Sequence, residues 1–288
     1  MSVATEHPVR PVAHEADNML VVRGLKKSFG RVHALREANL SLPREQITAL
    51  IGDNGAGKST LVRNIVGVHQ PDGGEVVLDG EVVAFGNPEQ GRSAGIETVF
   101  QDLALVEDLT VAQNLFLGRE ATRGVGPLNF LDRRRMRREA ADMVGTLAIN
   151  VPQVTARVRR LSGGQRQAVA LARAAGFSSK LVILDEPTAA LGVQETERVE
   201  QLILDLKDRG TTILIISHNF EQVLRLSDQV VVMRAGRTVA RRRTSETDGQ
   251  ELVALVTGAI QDPIAAHEAS VHPTDAHTGN PTPEEDQR

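Results

Sequence analysis

Cysteine, tryptophan and tyrosine are all missing from this sequence, and phenylalanine occurs only seven times. Without cysteine there can be no disulfide framework and no thiolate metal site, which suits a reducing compartment. So few rings leave little for an aromatic platform for single-stranded nucleic acid or for an aromatic sugar-binding groove. Long apolar runs are missing as well. The longest, such as TTILIIS at 211–217, are strand-sized and far short of the roughly 20 residues that cross a bilayer. The first eighteen residues, MSVATEHPVRPVAHEADN, hold prolines, acids and histidines with no apolar run, so they do not read as a secretory signal. An excess of one charge is the last absence. The formal net charge is −4, which gives no long-range pull toward nucleic acid or anionic lipid. The local basic runs at 133–138 and 241–243 read as solvated faces.

What is present is a chain of 288 residues with 41% hydrophobic content, enough for a substantial buried core. Residues 1–18 read as a disordered arm, and 262–288, polar and rich in proline, as a disordered tail. The tail's His267, His272 and His277 lack a frame that would hold them on a metal. Between these ends, strands and helices alternate. NMLVVRGL (18–25) and QITALIG (46–52) read as strands, followed by a helix from Lys58 to about Val68. GEVVLDGEVVAF (74–85) reads as a hairpin turning at Asp79-Gly80. The 110–148 section reads as helical around a loop holding Gly124, Gly126 and Pro127. A helix from Ser162, a strand at LVIL (181–184), a helix at 193–209 and a strand at TTILIIS complete the pattern. The continuous apolar runs suit parallel strands covered on both faces. The fold class is α/β.

GDNGAGKST (52–60) has the spacing G-x-x-x-x-G-K-[ST] between a strand and a helix, the context this phosphate loop requires. Gly52, Asp53, Asn54, Gly55, Ala56 and Gly57 would wrap backbone N–H groups around phosphate oxygens at a helix N-terminus. Lys58 would neutralise their charge, Ser59 would ligate Mg²⁺, and Thr60 completes the loop. In LVILDEP (181–187), Asp185 and Glu186 stand at the carboxyl end of a buried strand, where doubly wound folds place their ligands. Asp185 suits the same Mg²⁺ as Ser59, and Glu186 suits the base or orienting group for an attacking water. LSGGQRQ (161–167) puts Ser162 and Gln165 at capping-box spacing. That does not account for Gly163 and Gly164, each costing about 1 kcal/mol relative to alanine in a helix interior. Bare backbone at a positive helix end is what a phosphate needs.

With LSGGQRQ beside the phosphate loop and LVILDEP, the sequence from about Met19 to Gly258 closely resembles the ATP-binding cassette family. Its motifs stand in the family's order, including Gln101 in VFQD and His218 in IISHN. The resemblance implies a P-loop NTPase of this type: a mostly parallel sheet core, an antiparallel β subdomain and a helical subdomain at about 103–175, within one ATPase domain at 19–261. It implies ATP as substrate and Mg²⁺ as cofactor, with Gln101 sensing metal and attacking water, and His218 touching the γ-phosphate. Phe29 stands where the family stacks a tyrosine on adenine. Ser162, Gly163, Gly164 and Gln165 would contact ATP held by a second copy, so the chain is expected to form a head-to-tail homodimer. Gly192, after EPTAAL, replaces an aspartate frequent at the junction between subunits.

The wording of GDNGAGKST, of residues 97–120 and of EPTAALGVQE is similar to the bacterial monosaccharide-importer branch. The implied partners are membrane-embedded permease subunits and, indirectly, an extracytoplasmic solute-binding protein, with no nucleic acid. The implied location is the cytoplasmic face of the inner membrane, peripherally attached. The competing class is a soluble cassette ATPase acting on nucleic acid or ribosomes. It is disfavoured by the acidic balance, the single cassette and the lack of a basic arm or coiled-coil insertion.

Overall fold

A computed structural model describes residues 17–125, 128–147, 149–177, 179–189 and 191–260, with the side chains of 125, 128 and 129 set aside. Residues 1–16 of the N-terminal arm, the C-terminal tail with its histidines, and the Gly126-Pro127 pair thus fall outside the described residues, while Asn18, the last residue of the expected arm, already belongs to the first strand. The chain opens with a long hairpin, β1 (Asn18–Phe29) and β2 (Val32–Pro43), then β3 (Ile47–Ile51) and α1 (Lys58–Ile65). Helix α1 stops earlier than its apolar pattern suggests because Gly67 takes φ +79° and Val68 N–H closes back on Arg63 O at 2.8 Å, a Schellman-type ending. β4 (Gly73–Leu78) and β5 (Glu81–Val83) form the expected hairpin. Asp79 and Gly80 both have positive φ, +53° and +86°, the I′ geometry that matches strand twist.

α2 (Pro88–Ser93) and β6 (Ile96–Val99) follow, then α3 (Val111–Leu115), a small hairpin of β7 (Thr122–Val125) and β8 (Leu128–Leu131), α4 (Arg133–Thr146) and α5 (Gly163–Ala175). The hairpin stands where the sequence suggested a loop between helices. Thr122 and Phe130 favour strand conformation, and Arg123 pairs with Phe130 and Thr122 with Leu131 across it. β9 (Leu181–Asp185), α6 (Val193–Asp208), β10 (Thr212–Ile216), α7 (Phe220–Leu226), β11 (Gln229–Arg234), β12 (Arg237–Arg243) and α8 (Gly249–Thr257) complete the chain.

Ten strands form one sheet in the order β5-β4-β1-β2-β12-β11-β3-β10-β9-β6. The run from β11 to β6 is parallel. The β1, β2, β4 and β5 strands are antiparallel and join the rest through one β2–β12 pairing, Glu37 with Arg237. Strands β9 and β10 are buried on both faces. Val182, Leu184, Ile213 and Ile215 enter one apolar cluster with α5 and α6. Leu181, Ile183, Leu214 and Ile216 enter a second, with α1 and the antiparallel strands. Among the described residues no helix is long and apolar enough to cross a membrane.

Candidate ATP-binding site

The strand order puts the sequence motifs side by side. β3, β10, β9 and β6 are consecutive parallel neighbours, and each releases one motif from its carboxyl end. These are the 52–60 loop after β3, His218 after β10, Asp185 and Glu186 at the end of β9, and Gln101 after β6. The crevice outside the carboxyl ends of parallel strands is where such sheets bind ligands.

The 52–60 loop is shaped for backbone rather than side-chain contacts. Gly52 has φ +151°, and a Cβ there would fall 2.2 Å from Met233 O on β11; at Gly57, with φ +103°, it would fall 2.7 Å from Ala34 O on β2. Neither position accepts a side chain without moving main chain. Gly57 is also the N-cap of α1 and supplies no side-chain cap, so the helix's first N–H groups point outward at its positive end. Lys58 Nζ donates to the carbonyl oxygens of Gly52 (2.6 Å) and Asp53 (3.0 Å). Burial lowers its pKa, while the charges of Glu186, Asp185 and Asp53 act the other way. Asp185 is pushed up, first by burial and then by the like charge of Glu186, with Lys58 opposing. Arg63 opposes it as well.

Among the described residues no three His, Asp or Glu side chains group to hold a metal. The set Ser59, Asp185 and Gln101 has a single carboxylate. That fits Mg²⁺, which keeps waters and takes its remaining oxygens from nucleotide phosphate.

Glu186 is the strained residue of the site. Its φ is +52°, and its N–H donates to Ile216 O on β10 at 2.9 Å. Non-glycine residues in this region persist where the surroundings over-determine them. The strain turns the carboxylate to accept a hydrogen bond from His218 Nδ1 at 2.7 Å. That pairing was not legible from spacing, since the two residues lie on different strands. The His218 side chain is 78% exposed against 18% for Glu186, so the pair stands at the surface with its base sheltered.

Behind it sits a polar network the sequence reading missed. Gln222 on α7 donates to Thr188 Oγ1 (2.7 Å) and Glu200 Oε1 (3.0 Å) and accepts from Ser217 Oγ (3.1 Å). Glu200 also accepts two bonds from Arg225. The residues flanking Glu186 and His218 are thereby tied together. Apolar periodicity in α6 and α7 could not reveal buried polar positions whose partners are remote in sequence.

Phe29, at the tip of the β1–β2 hairpin, is 45% exposed. His69 meets its ring edge-on at 5.1 Å, and Lys27 Nζ lies 5.6 Å from its centroid. It is a presented ring rather than a core one.

Ser162 caps α5 as its spacing suggests: its Oγ accepts from Gln165 N–H (3.3 Å), and Gln165 Oε1 accepts from Ser162 N–H (3.0 Å). The structure adds a packing reason for the glycines. A Cβ on Gly164 would lie 3.0 Å from the Glu195 side chain, and one on Gly163 would lie 3.3 Å from Leu191. The Glu195 carboxylate is held below its usual pKa by the Ser162 hydroxyl and the N–H groups of Gly192 and Gly164. Ser162, Gly164, Gln165, Glu195 and Arg198 line a cleft of about 250 Å³ whose walls include none of residues 52–60. Within one chain, therefore, the two glycine-rich helix starts do not share a pocket.

Residues 35–189 match the ABC transporter family. Three curated relatives are similar over most of this chain. The xylose/arabinose import ATP-binding protein XylG of Sulfolobus acidocaldarius is 42% identical over 83% of this chain and 94% of its own length. The fructose import ATP-binding protein FrcA of Rhizobium meliloti is 45% identical over 86% and 97%. A ribose import ATP-binding protein, RbsA 1 of Streptomyces avermitilis, is 38% identical over 84% of this chain and 45% of its own length. Among solved structures, a nucleotide-free ATP-binding cassette from an ABC transporter superposes with a TM-score of 0.70 at 28% identity, covering 88% of this chain and all of that one.

Proposed function

Since the chain belongs to the ABC transporter family and is an ATP-hydrolysing, ATP-binding protein of that family, we propose that it energises import of a monosaccharide through separate permease subunits. The sugar assignment is supported by relatives named for xylose/arabinose, fructose and ribose import. None of these three names refers to nucleic acid or ribosomes. In this reading the ATPase unit is residues 19–261 with a helical subdomain at about 103–175. It works as a head-to-tail homodimer on the cytoplasmic face of the inner membrane, with an extracytoplasmic solute-binding protein delivering the sugar.

The observation that carries the reading is the row of motifs along four adjacent strands, with Glu186 and His218 hydrogen-bonded at its centre. Gly52, Asp53, Asn54, Gly55, Ala56, Gly57 and Thr60 cradle the phosphates of ATP, and Lys58 exchanges its two loop carbonyls for phosphate oxygens. Phe29 stacks on the adenine. Ser59, Asp185 and Gln101 hold Mg²⁺, which when bound neutralises phosphate charge. Glu186 takes the proton of the attacking water, and His218, held against it, faces the γ-phosphate. Ser162, Gly163, Gly164 and Gln165 complete the site of the partner copy. Replacing Glu186 by Gln keeps the side chain's shape but removes the base. Nucleotide affinity stays within about twofold, while kcat falls by roughly 10²–10⁴; ordinary turnover by this variant would sink the assignment.

A further inference from the structure

Gln101 does not stand on a strand or helix. It is one of two central residues of a turn in which Leu103 N–H closes on Phe100 O at 2.8 Å. The turn runs into two consecutive non-glycine residues with positive φ, Leu103 at +57° and Ala104 at +45°. Left-handed backbone is disfavoured for side-chain-bearing residues and is retained only where the surroundings impose it. Here α5 holds it. Arg173 Nη2 donates to Leu103 O and Nη1 to Ala104 O, both at 2.8 Å. Two successive carbonyls accept from one planar guanidinium only if they point the same way, as successive residues in a helical sense of either hand do and extended residues do not. The clamp therefore fits the observed helical turn of backbone and holds it against an extended alternative.

The Arg173 side chain is partly buried, and that burial lowers its pKa, with the charge of Glu97 on β6 opposing. Glu97 in turn accepts from Arg119, whose guanidinium lies 4.6 Å from the Phe177 ring centroid, just beyond α5.

We propose that Arg173 is a positioning residue. By clamping the carbonyls of Leu103 and Ala104 it sets where Gln101 stands and makes the loop after β6 move with the helix that starts at Ser162. A shift of either element is then felt by the other without contact between Gln101 and the glycine-rich helix start. Its catalytic consequence rests on the role given to Gln101 above, whereas the clamp itself does not.

The test uses the full chain with Arg173→Lys and Arg173→Met. Amide hydrogen exchange at Asp102–Leu105 should quicken by about tenfold or more in Arg173→Met, with amides of α5 and β9 unchanged and Arg173→Lys in between. Steady-state kcat should fall by about tenfold while KM for ATP moves less than about twofold. If the Met variant does not fold, the Lys variant must show the same local exchange pattern. Unchanged exchange at Asp102–Leu105 in a folded variant, or quickening that spreads equally through α5, overturns the clamp. Gln101→Ala separates the two readings: if it leaves kcat intact, the role of Gln101 fails while exchange still reports on Arg173.

Discussion

Asp79 shows how much one residue carries without touching the catalytic site. It opens the β4–β5 turn with φ +53°, a conformation aspartate and asparagine tolerate better than other side chains. Its carboxylate accepts from Lys180 and Arg44, so the hairpin is tied both to the lead-in of β9 and to the end of β2. Those hydrogen bonds, Lys180 first, pull its pKa from 3.8 to about 2. A carboxyl whose folded pKa is depressed stabilises the fold above its unfolded pKa, and that contribution disappears as pH falls through the folded value. Asp79→Asn keeps the turn and removes the charge. Its urea midpoint should therefore lie below that of the wild type at pH 6, and the gap should close as pH falls from about 4 toward about 2. A gap independent of pH would assign the effect to the turn instead. Glu186 is a different case, because its positive φ places the carboxylate for His218 rather than for stability. Nothing in the letters LVILDEP distinguishes a strained glutamate from an ordinary one. The residue type was legible in the sequence and the geometry was not.

At the level of elements, legibility followed periodicity. Strands β3, β9 and β10 and helices α5 and α6 lie close to where their apolar patterns put them, because each is built from side chains that bury against near neighbours. β12 was not anticipated. Its sequence RTVARRR carries arginines, and it pairs with β11 on one side while meeting β2 through a single pairing, so it has little apolar signal to give. The β7–β8 hairpin was hidden for a related reason: Phe130 and Leu131 are 64% and 49% exposed, and no described side chain of either strand is buried. The parallel strands show the opposite limit. Ile183 and Leu184 are adjacent on β9, both fully buried, yet in different apolar clusters. Ile183→Ala and Leu184→Ala should each cost about 2–5 kcal/mol in urea denaturation. Val82→Ala on the edge strand β5, where Val82 is 68% exposed, should stay within about 0.5 kcal/mol. A one-faced sheet would instead make one of the two central substitutions nearly silent.

For the whole molecule, the decisive fact is the separation of two helix starts that both suit phosphate. The 52–60 loop opens α1 at the carboxyl edge of β3, whereas Ser162 and Gly164 line a cleft with Glu195 and Arg198 that includes no loop residue. Within one chain the second helix start lies against the Glu195 side chain, whose pKa is lowered by the Ser162 hydroxyl and the N–H groups of Gly192 and Gly164. A phosphate held by the 52–60 loop of the same chain does not reach this cleft, whose walls include none of those residues. The proposed head-to-tail dimer would satisfy this: two copies related by a twofold axis would present each loop to the other's α5 start, giving two composite sites. Complementation between defective copies tests it directly. Lys58→Ala disables a copy's own loop, and Ser162→Arg, at an exposed position, obstructs the surface offered to its partner, at the cost of the α5 cap but without touching residues 52–60. Each variant alone should hydrolyse little ATP. Mixed in equal amounts, half of the dimers should be hybrids with one intact composite site out of two, restoring up to roughly a quarter of wild-type turnover if sites act independently and less if both must fire together. A site built within one chain predicts no restoration at any mixing ratio, because every molecule in the mixture would carry a defect in its own site.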